Sequence, residues 1–575
     1  MRKAARWLLP EIDEIQAAHV AAELRMSPVA ARVLVRRGYA DPSAAQAFLH
    51  PTLDSLHSPS LLLGMDRATA RIIEAVDKKE PILLYGDYDV DGTLSIVLLK
   101  KAIEIAGGNT SHHVPHRLRE GYGMRSDVIQ AAAQHGVKLI VSVDTGIRAG
   151  EVVVCAKELG VDVIVTDHHL PEAELPPAVA VLNPNQPGCG YPNKNLCGAG
   201  VAFKLAHGLL ERTGLAQARL RRLLESFLKL VAIATVADVV ALTGENRAIV
   251  KQGLAGLDKT ANPGLRALLD VAGFQNGAAP NAGQVAFRVA PRINAAGRMD
   301  TAQDVIELFS TQDLDRARVI ASKLNLLNAE RQKTEQDMLS QILEQCESAP
   351  IYASQRALVF AGAGWHRGVI GIVASRLVER FHRPVFVLGI DEERGEAQGS
   401  GRSIPAFHLL NALESMPDLF LKFGGHRQAA GLTLRPARLE EFRERFNVYS
   451  TTVLTAEDLC PQYEADAELS LREWNGQTIA DLFAMAPFGF GNPPPTLVVR
   501  EVALPVAPTV MKEKHLRFRA VRDGATLYCK AWNWADRIGE FPVQAPLDLL
   551  FMLEDDGWDG VSASVKDVRS GNPIA

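Results

Sequence analysis

The chain has 575 residues, 47% hydrophobic and 22% charged, with a formal net charge of -5. That length fits two to four domains, and the composition excludes a disordered or fibrous protein. The negative balance argues against a general nucleic-acid coat, so any groove for a polyanion must be local, built from clusters such as Arg117 to Arg119, Arg367 to Arg383 or Lys512 to Arg519.

The N-terminal MRKAARWLLPEIDE has a basic start but no apolar core of signal-peptide length, and no later run approaches a membrane span. A cytoplasmic protein without a membrane partner is expected. Cys155, Cys189, Cys197, Cys346, Cys460 and Cys529 are scattered, with no spacing suited to zinc, and read as reduced thiols.

The first 75 residues read as mostly helical. From Pro81 to Asn183, PILLYG, KLIVSV, VDVIVT and AVAVLN are candidate buried strands alternating with helical stretches, the texture of a doubly wound parallel sheet. LSIVLLKKAIEIAG and SDVIQAAAQHG read as helices closed by a glycine in a left-handed cap. The loop NPNQPGCGYPNKN then leads into a helical block from Ala199 to Val240. From Leu314 to Gln345 a helical period runs without Gly or Pro, long for a globular helix, and reads as a rigid spacer or a coiled-coil face. RALVFAG and PVFVLGI, around GIVASRLVERF, form a second α/β region. Beyond Thr455, the alternating stretches TLVVREVALPV, HLRFRAV, TLYCKAW and LDLLFML suggest a small antiparallel barrel. The expected organisation is an N-terminal helical region (1–75), a parallel-sheet domain (76–310), a connecting helix (311–347), a second α/β domain (348–452) and the barrel (453–575).

PILLYG runs into DYDVDG, which sets Asp87, Asp89 and Asp91 at alternate positions past a strand end. Three carboxylates there repel one another, and divalent cations with a preference for hard oxygen ligands relieve the repulsion. Asp-rich turns also serve as plain loops and N-caps. The second strand ends in Asp144 and the third in Asp167, His168 and His169, so three strands deliver metal-type ligands at one sheet edge. Asp238 lies in the apolar segment LVAIATVADVVAL, where an unpaired charge is costly; a metal, a helix cap or an arginine would answer it.

DYDVDG, VDTG, TDHH and ADVV, in that order, resemble the DHH phosphoesterase superfamily. NAAGRM, WHRGVIGIVASRL, GSGRSI, GGHRQAAG and PFGFGNPPP resemble its RecJ family of single-strand-specific exonucleases, and these motifs span most of the chain. The resemblance implies a DHH catalytic domain, a DHHA1-like second domain and an OB-fold-like barrel. It implies Asp89, Asp91, Asp144, His168 and Asp238 as ligands to two Mn²⁺ or Mg²⁺ ions, with Asp144 bridging them and Asp87 completing a shell. Asp87, Asp144, His168 and His169 would be catalytic, His169 by touching the scissile phosphate or by holding the tautomer of His168. The pyrophosphatase branch has a histidine four residues before the first ligand; Tyr85 stands here, so that branch fits poorly.

The implied reaction is hydrolysis of single-stranded DNA from the 5′ end, releasing 5′-mononucleotides, in recombination and repair. A single-strand-binding protein and a helicase would be partners. Arg117, Tyr122, Arg298, His366, Arg376, Ser400, Arg402 and His426 would bind the strand and its terminal phosphate. Phe518, Tyr528, Trp532 and Trp534 could stack bases on the barrel, or could simply fill its core. Two rival readings remain at this point: a DHH enzyme for short oligonucleotides or cyclic dinucleotides, and a non-catalytic DHH-fold scaffold.

Overall fold

The computed structural model describes residues 5–117, 119–275, 279–349, 351–555 and 561–571. They divide into two compact units, one of residues 57–240 with 252–460, the other of residues 1–56, 241–251 and 461–575.

The first unit opens on a five-stranded parallel sheet of β1 (Ile82–Tyr85), β2 (Thr110–His113), β3 (Leu139–Val143), β4 (Asp162–Thr166) and β5 (Ala180–Leu182), in the order β2-β1-β3-β4-β5. β1, β3 and β5 are buried along their whole length, as strands covered on both faces must be. β2, with the sequence TSHH, is the polar edge strand; without an apolar run it gives the hydrophobic pattern nothing to detect. Because the chain leaves β1 for β2 and returns to β3 on the other side, the order reverses between β1 and β3. The loops after the carboxyl ends of those two strands, DYDVDG and Asp144, therefore border the crevice in which open α/β sheets bind ligands.

Helices α1 (Val90–Ile105), α3 (Gly198–Glu211) and α4 (Gln217–Ala237) pack together beside this sheet, while α2 (Ser126–Gln134) precedes β3. A short helix, Ala282–Gln284, passes through a π-helical turn, Val285–Val289, into α5 (Ala290–Met299). α6 (Leu314–Ser348) is 35 residues long, but it is neither a free spacer nor an unpaired coiled-coil face. Its first half buries Ala317, Ile320, Ala321 and Leu324, and it packs on helix Pro263–Val271 and on α5; its second half sends Met338 and Ile342 into the core beneath the next sheet. That sheet holds β6 (Leu358–Ala363), β7 (Val385–Asp391), β8 (Glu396–Arg402), β9 (Phe420–Gly425) and β10 (Ala429–Leu434) in the order β9-β10-β8-β7-β6. α7 (Ile370–Phe381) crosses between its one parallel pair, β6 and β7.

In the second unit, β11 (Thr496–Val502), β12 (His515–Arg522), β13 (Ala525–Ala531), β14 (Leu547–Asp555) and β15 (Val561–Ser570) form the order β11-β14-β15-β13-β12, flanked by two short strands. An antiparallel bridge from Ala503 to Val521 joins the β11 end to β12 and curls the sheet toward a barrel. The N-terminal helices pack on this sheet: Val29, Val33, Leu34 and Phe48 share one core with Leu497, Leu549 and Phe551. Strand Arg6–Leu8 pairs in parallel with Gln462–Glu464. Arg247 is buried there over the Phe48 ring and donates to the carbonyls of Phe48 and Ala486. Phe518 and Trp534 are core residues, whereas Tyr528 and Trp532 are exposed. The six cysteines are free thiols, and no helix among the described residues is long and apolar enough to cross a membrane.

Candidate metal centre and phosphate cleft

DYDVDG turns sharply from β1 into α1. Asp89 is the N-cap of that helix, its Oδ1 accepting from the Asp91 and Gly92 N–H groups at 2.9 and 3.0 Å. Asp91, in the first turn of the helix, is buried and faces the start of α3, where its two oxygens accept from the Gly198 and Ala199 N–H groups at 2.6 and 2.8 Å. Both carboxylates thus sit at positive helix ends. Capping and metal ligation are compatible at Asp89, since one oxygen caps and the other is left over.

Asp144 follows β3 in the left-handed region, with φ +57°, strain of the kind that persists where surrounding structure imposes it. His168 follows β4, and its Nε2 lies 3.2 Å from Asp144 Oδ1, 3.7 Å from Asp238 Oδ2 and 3.9 Å from Asp91 Oδ2. Asp238 caps the C-terminus of α4; the carboxylate points at the other ligands rather than at an arginine. Three donor sets have their ligand atoms within 4.8 Å of one another: Asp87 with Asp89 and Asp144, Asp91 with His168 and Asp238, and Asp144 with His168 and His169.

Four buried atoms in this cluster, Asp87 Oδ1, Asp144 Oδ1, His168 Nε2 and Asp238 Oδ2, have no hydrogen-bond partner among the described residues. Four orphaned polar atoms gathered in one place are costly unless cations lie among them. Donors about 2.1 Å from an octahedral ion are roughly 3 Å apart, close to the spacing observed here. The residues present therefore fit divalent cations.

The electrostatics agree. Burial, then the mutual repulsion of the carboxylates, pushes Asp87 up to about 8 and Asp238 up to about 9, raises Asp89, and lifts Asp144 well above its ordinary value. Burial lowers His168, so it is neutral near pH 7 and has no proton for a cation to displace. A carboxyl raised in the folded state favours folding below its unfolded pKa, near 4, and loses that contribution as pH rises through the folded value. The thermal midpoint of the ion-free protein is accordingly expected to fall between about pH 5 and pH 9. Saturating Mn²⁺ is expected to remove most of that fall; scanning calorimetry with parallel slopes in both series would contradict it.

His169 is half-exposed beside the cluster, its Nδ1 2.7 Å from Asp167 Oδ1. Burial would lower its pKa, but the hydrogen bond and charge of Asp167 outweigh burial and raise it. Asp167 is buried and also accepts from the Ile147, His168 and His169 N–H groups, which hold it ionised against its burial. Asp167, which the sequence places among the metal-type ligands at the strand end, is the residue that orients His169. Gly198 was missed altogether. A Cβ there would stand 2.7 Å from the Cβ and 2.9 Å from the Oδ1 of Asp144, so only glycine lets α3 approach the cluster. The available signal was CGAG at the head of a helix. Gly198→Ala is expected to weaken Mn²⁺ binding by about 10- to 100-fold, as displacement of a ligand's support does, measurable by isothermal titration.

All but one of the other expected residues fall in two places. Arg117, Arg298, Arg376, Ser400 and Arg402 line a cleft of about 770 Å³. Arg117 stacks on the Tyr88 ring, between Asp87 and Asp89, at 4.9 Å. Asn294 Oδ1 accepts from the Val90 N–H, tying α5 to DYDVDG, while Arg298 donates to the Gly368 carbonyl. Arg402 donates to Ser400 Oγ. Tyr122, His169 and His426 line a second groove of about 1330 Å³ that also reaches His168, and the Tyr122 hydroxyl donates to the Asp144 carbonyl. His366 is apart from these: its Nδ1 accepts from the Gly368 N–H, two residues on, and shapes the turn that receives Arg298.

Three stretches of the chain match the models of known families. Residues 81–235 match the DHH family N-terminal domain, 354–450 the DHHA1 domain and 465–565 the RecJ OB domain. The single-stranded-DNA-specific exonuclease RecJ of Dickeya dadantii is 39% identical over 503 residues, 83% of this chain and 86% of its own. That of Bacillus subtilis is 38% identical over 529 residues, 92% of this chain; the chain spans 66% of that relative's length. RecJ of Thermus thermophilus, solved with Mn²⁺, superposes with a TM-score of 0.83 at 31% identity, covering all of this chain and 81% of that one, and has also been solved with Mg²⁺.

Proposed function

This chain belongs to the RecJ exonuclease family, and we propose that it digests single-stranded DNA from the 5′ end, releasing 5′-mononucleotides, in the cytoplasm during recombination and repair. A single-strand-binding protein and a helicase supplying the unwound strand are the proposed partners. The observation that carries the reading is the convergence of four unpartnered buried ligand atoms beside a cleft lined by arginines.

Two Mn²⁺ or Mg²⁺ ions are proposed, one held by Asp87, Asp89 and Asp144, the other by Asp91, His168 and Asp238, with Asp144 between them. When bound, such ions polarise the phosphodiester and lower the pKa of the water that attacks phosphorus in line. Arg117, Ser400 and Arg402 receive the 5′-terminal phosphate, and Arg298 the non-bridging oxygens of the scissile one. As water adds to phosphorus, the bond to the 3′ oxygen of the departing nucleotide breaks. His169, whose Nδ1 is held by Asp167 and whose pKa that carboxylate raises, donates a proton to that oxygen. The shortened strand retains a 5′-phosphate and re-enters the same pocket.

The test is digestion of long single and double strands, labelled at either end, with and without Mn²⁺. Early release of the 5′ label as mononucleotide from single strands is expected. No mononucleotide, or release of the 3′ label first, would refute the proposal.

A further inference from the structure

The cleft continues into a second cavity of about 420 Å³ that the proposed phosphate contacts leave unused. Its walls carry Asn294, Arg331, Gln332, Gln336 and Arg376, and it shares Arg298 with the first. Phe287 lines both cavities and is 76% exposed. An exposed aromatic alone means little. Three further observations give this one a use.

Phe287 stands at the middle of the π-helical turn Val285–Val289, whose flanking Val285 and Val289 are fully buried. The turn is therefore fixed from behind while its phenyl ring faces open space, and single π-turns of this kind cost helical regularity and recur at functional sites. The helix that carries the ring is tied to the candidate metal centre through Asn294, which accepts from Val90, and to the turn before α7 through Arg298, which donates to Gly368. Eleven residues separate Phe287 from Arg298, roughly 16 Å along a helix, no more than about five steps of stacked bases at roughly 3.4 Å each. Finally, the second cavity is cationic with amide edges. Arg331 is buried with its Nε unpartnered among the described residues, and Glu335 is shared between Arg331 at 2.6 Å and Arg376 at 3.2 Å. Arg376 also reaches Glu379 at 3.5 Å, so with Arg298, which forms no salt bridge among the described residues, three cations meet two carboxylates and leave room for a phosphate.

We propose that Phe287 is a base-stacking platform and that the second cavity holds a further nucleotide of the bound strand, its phosphate on Arg331 and Arg376 and its base against the phenyl ring. This rests on the exonuclease reading and assigns it a nucleotide subsite beyond the phosphate pocket. Stacking on an aromatic tolerates any base, as a nuclease without sequence preference needs.

The experiment uses the full chain in an Asp144→Ala background, in which the strand is not consumed, and 5′-phosphorylated oligothymidylate of twelve nucleotides with a single abasic site moved along positions one to eight. With Phe287 present, one position among the first six is expected to lose about 5- to 100-fold in affinity when abasic. Phe287→Ala is expected to weaken the intact strand by the same factor and to erase the penalty at that position. Phe287→Trp is expected to keep both. An abasic profile unchanged by Phe287→Ala, or a uniform loss with the positional penalty intact, overturns the assignment. Failure of the protein with native Asp144 and Phe287 to digest single strands would instead overturn the exonuclease reading on which it rests.

Discussion

Asp144→Ala should lower the rate of mononucleotide release by about 10³-fold or more while raising the thermal midpoint of the ion-free protein. The first effect follows from position: Asp144 belongs to two of the three candidate donor sets, and its Oδ1 lies 3.2 Å from His168 Nε2. Loss of cation-derived charge stabilisation, several kcal/mol, corresponds to three or more decades in rate. The second effect follows from what Asp144 costs when no cation is present. It is buried, and Asp91, Asp89, Asp87 and Asp238 all oppose its ionisation; its backbone has a positive φ in addition. Removing it relieves repulsion that cations otherwise neutralise, an instance of function maintained against stability. The Mn²⁺-induced rise in midpoint should shrink in parallel, because a cation bound at about 100 times its Kd contributes about 2.7 kcal/mol and a weakened one far less. Single-turnover digestion and calorimetry on the same protein separate the two effects. Unchanged activity would remove Asp144 from the centre and reopen the scaffold reading.

How much of this centre could be read from the chain depends on whether the signal was local. Asp87, Asp89, Asp91, Asp144 and His168 each follow a buried apolar strand by one to six residues, so periodicity alone places them at one sheet edge, and the reversal between β1 and β3 brings them together. Asp238 was legible through the cost of a carboxylate in an apolar segment. Non-local features were not. β2 is a polar edge strand, and β15 begins in the small polar run VSAS, so neither has a pattern to recognise. The pairing of Arg6–Leu8 with Gln462–Glu464 joins residues more than 450 positions apart, and no composition announces it. Gly198 matters for the atom it spares, which only coordinates reveal. The long helix was found as a helix, but its role changed, since the buried row Ala317, Ile320, Ala321 and Leu324 is a packing stripe and not a spacer's surface.

Arg298→Ala should lower kcat/KM by about 10²- to 10³-fold, the range seen when one preorganised donor is removed from a developing oxyanion, with most of the loss in kcat. Arg298 is partly buried, and desolvation together with the charges of Arg117, Arg331 and Arg402 brings its pKa down to about 10, so it remains a cation at the pH of the reaction. It donates to the Gly368 carbonyl, a neutral acceptor, and it forms no salt bridge among the described residues. A partly desolvated guanidinium surrounded by other guanidinium groups is unfavourable until an anion arrives, and that differential favours the more charged pentavalent state over the bound strand. Arg298→Lys should recover little, because an ammonium cannot both donate to Gly368 and present a fork to two phosphate oxygens. Arg402→Ala separates the roles: with its partner Ser400 it faces the proposed terminal phosphate, so its loss should raise KM for 5′-phosphorylated strands and leave strands with a 5′-hydroxyl nearly unaffected. If Arg298→Ala and Arg402→Ala gave the same split between kcat and KM, the cleft would hold one phosphate, not two in sequence.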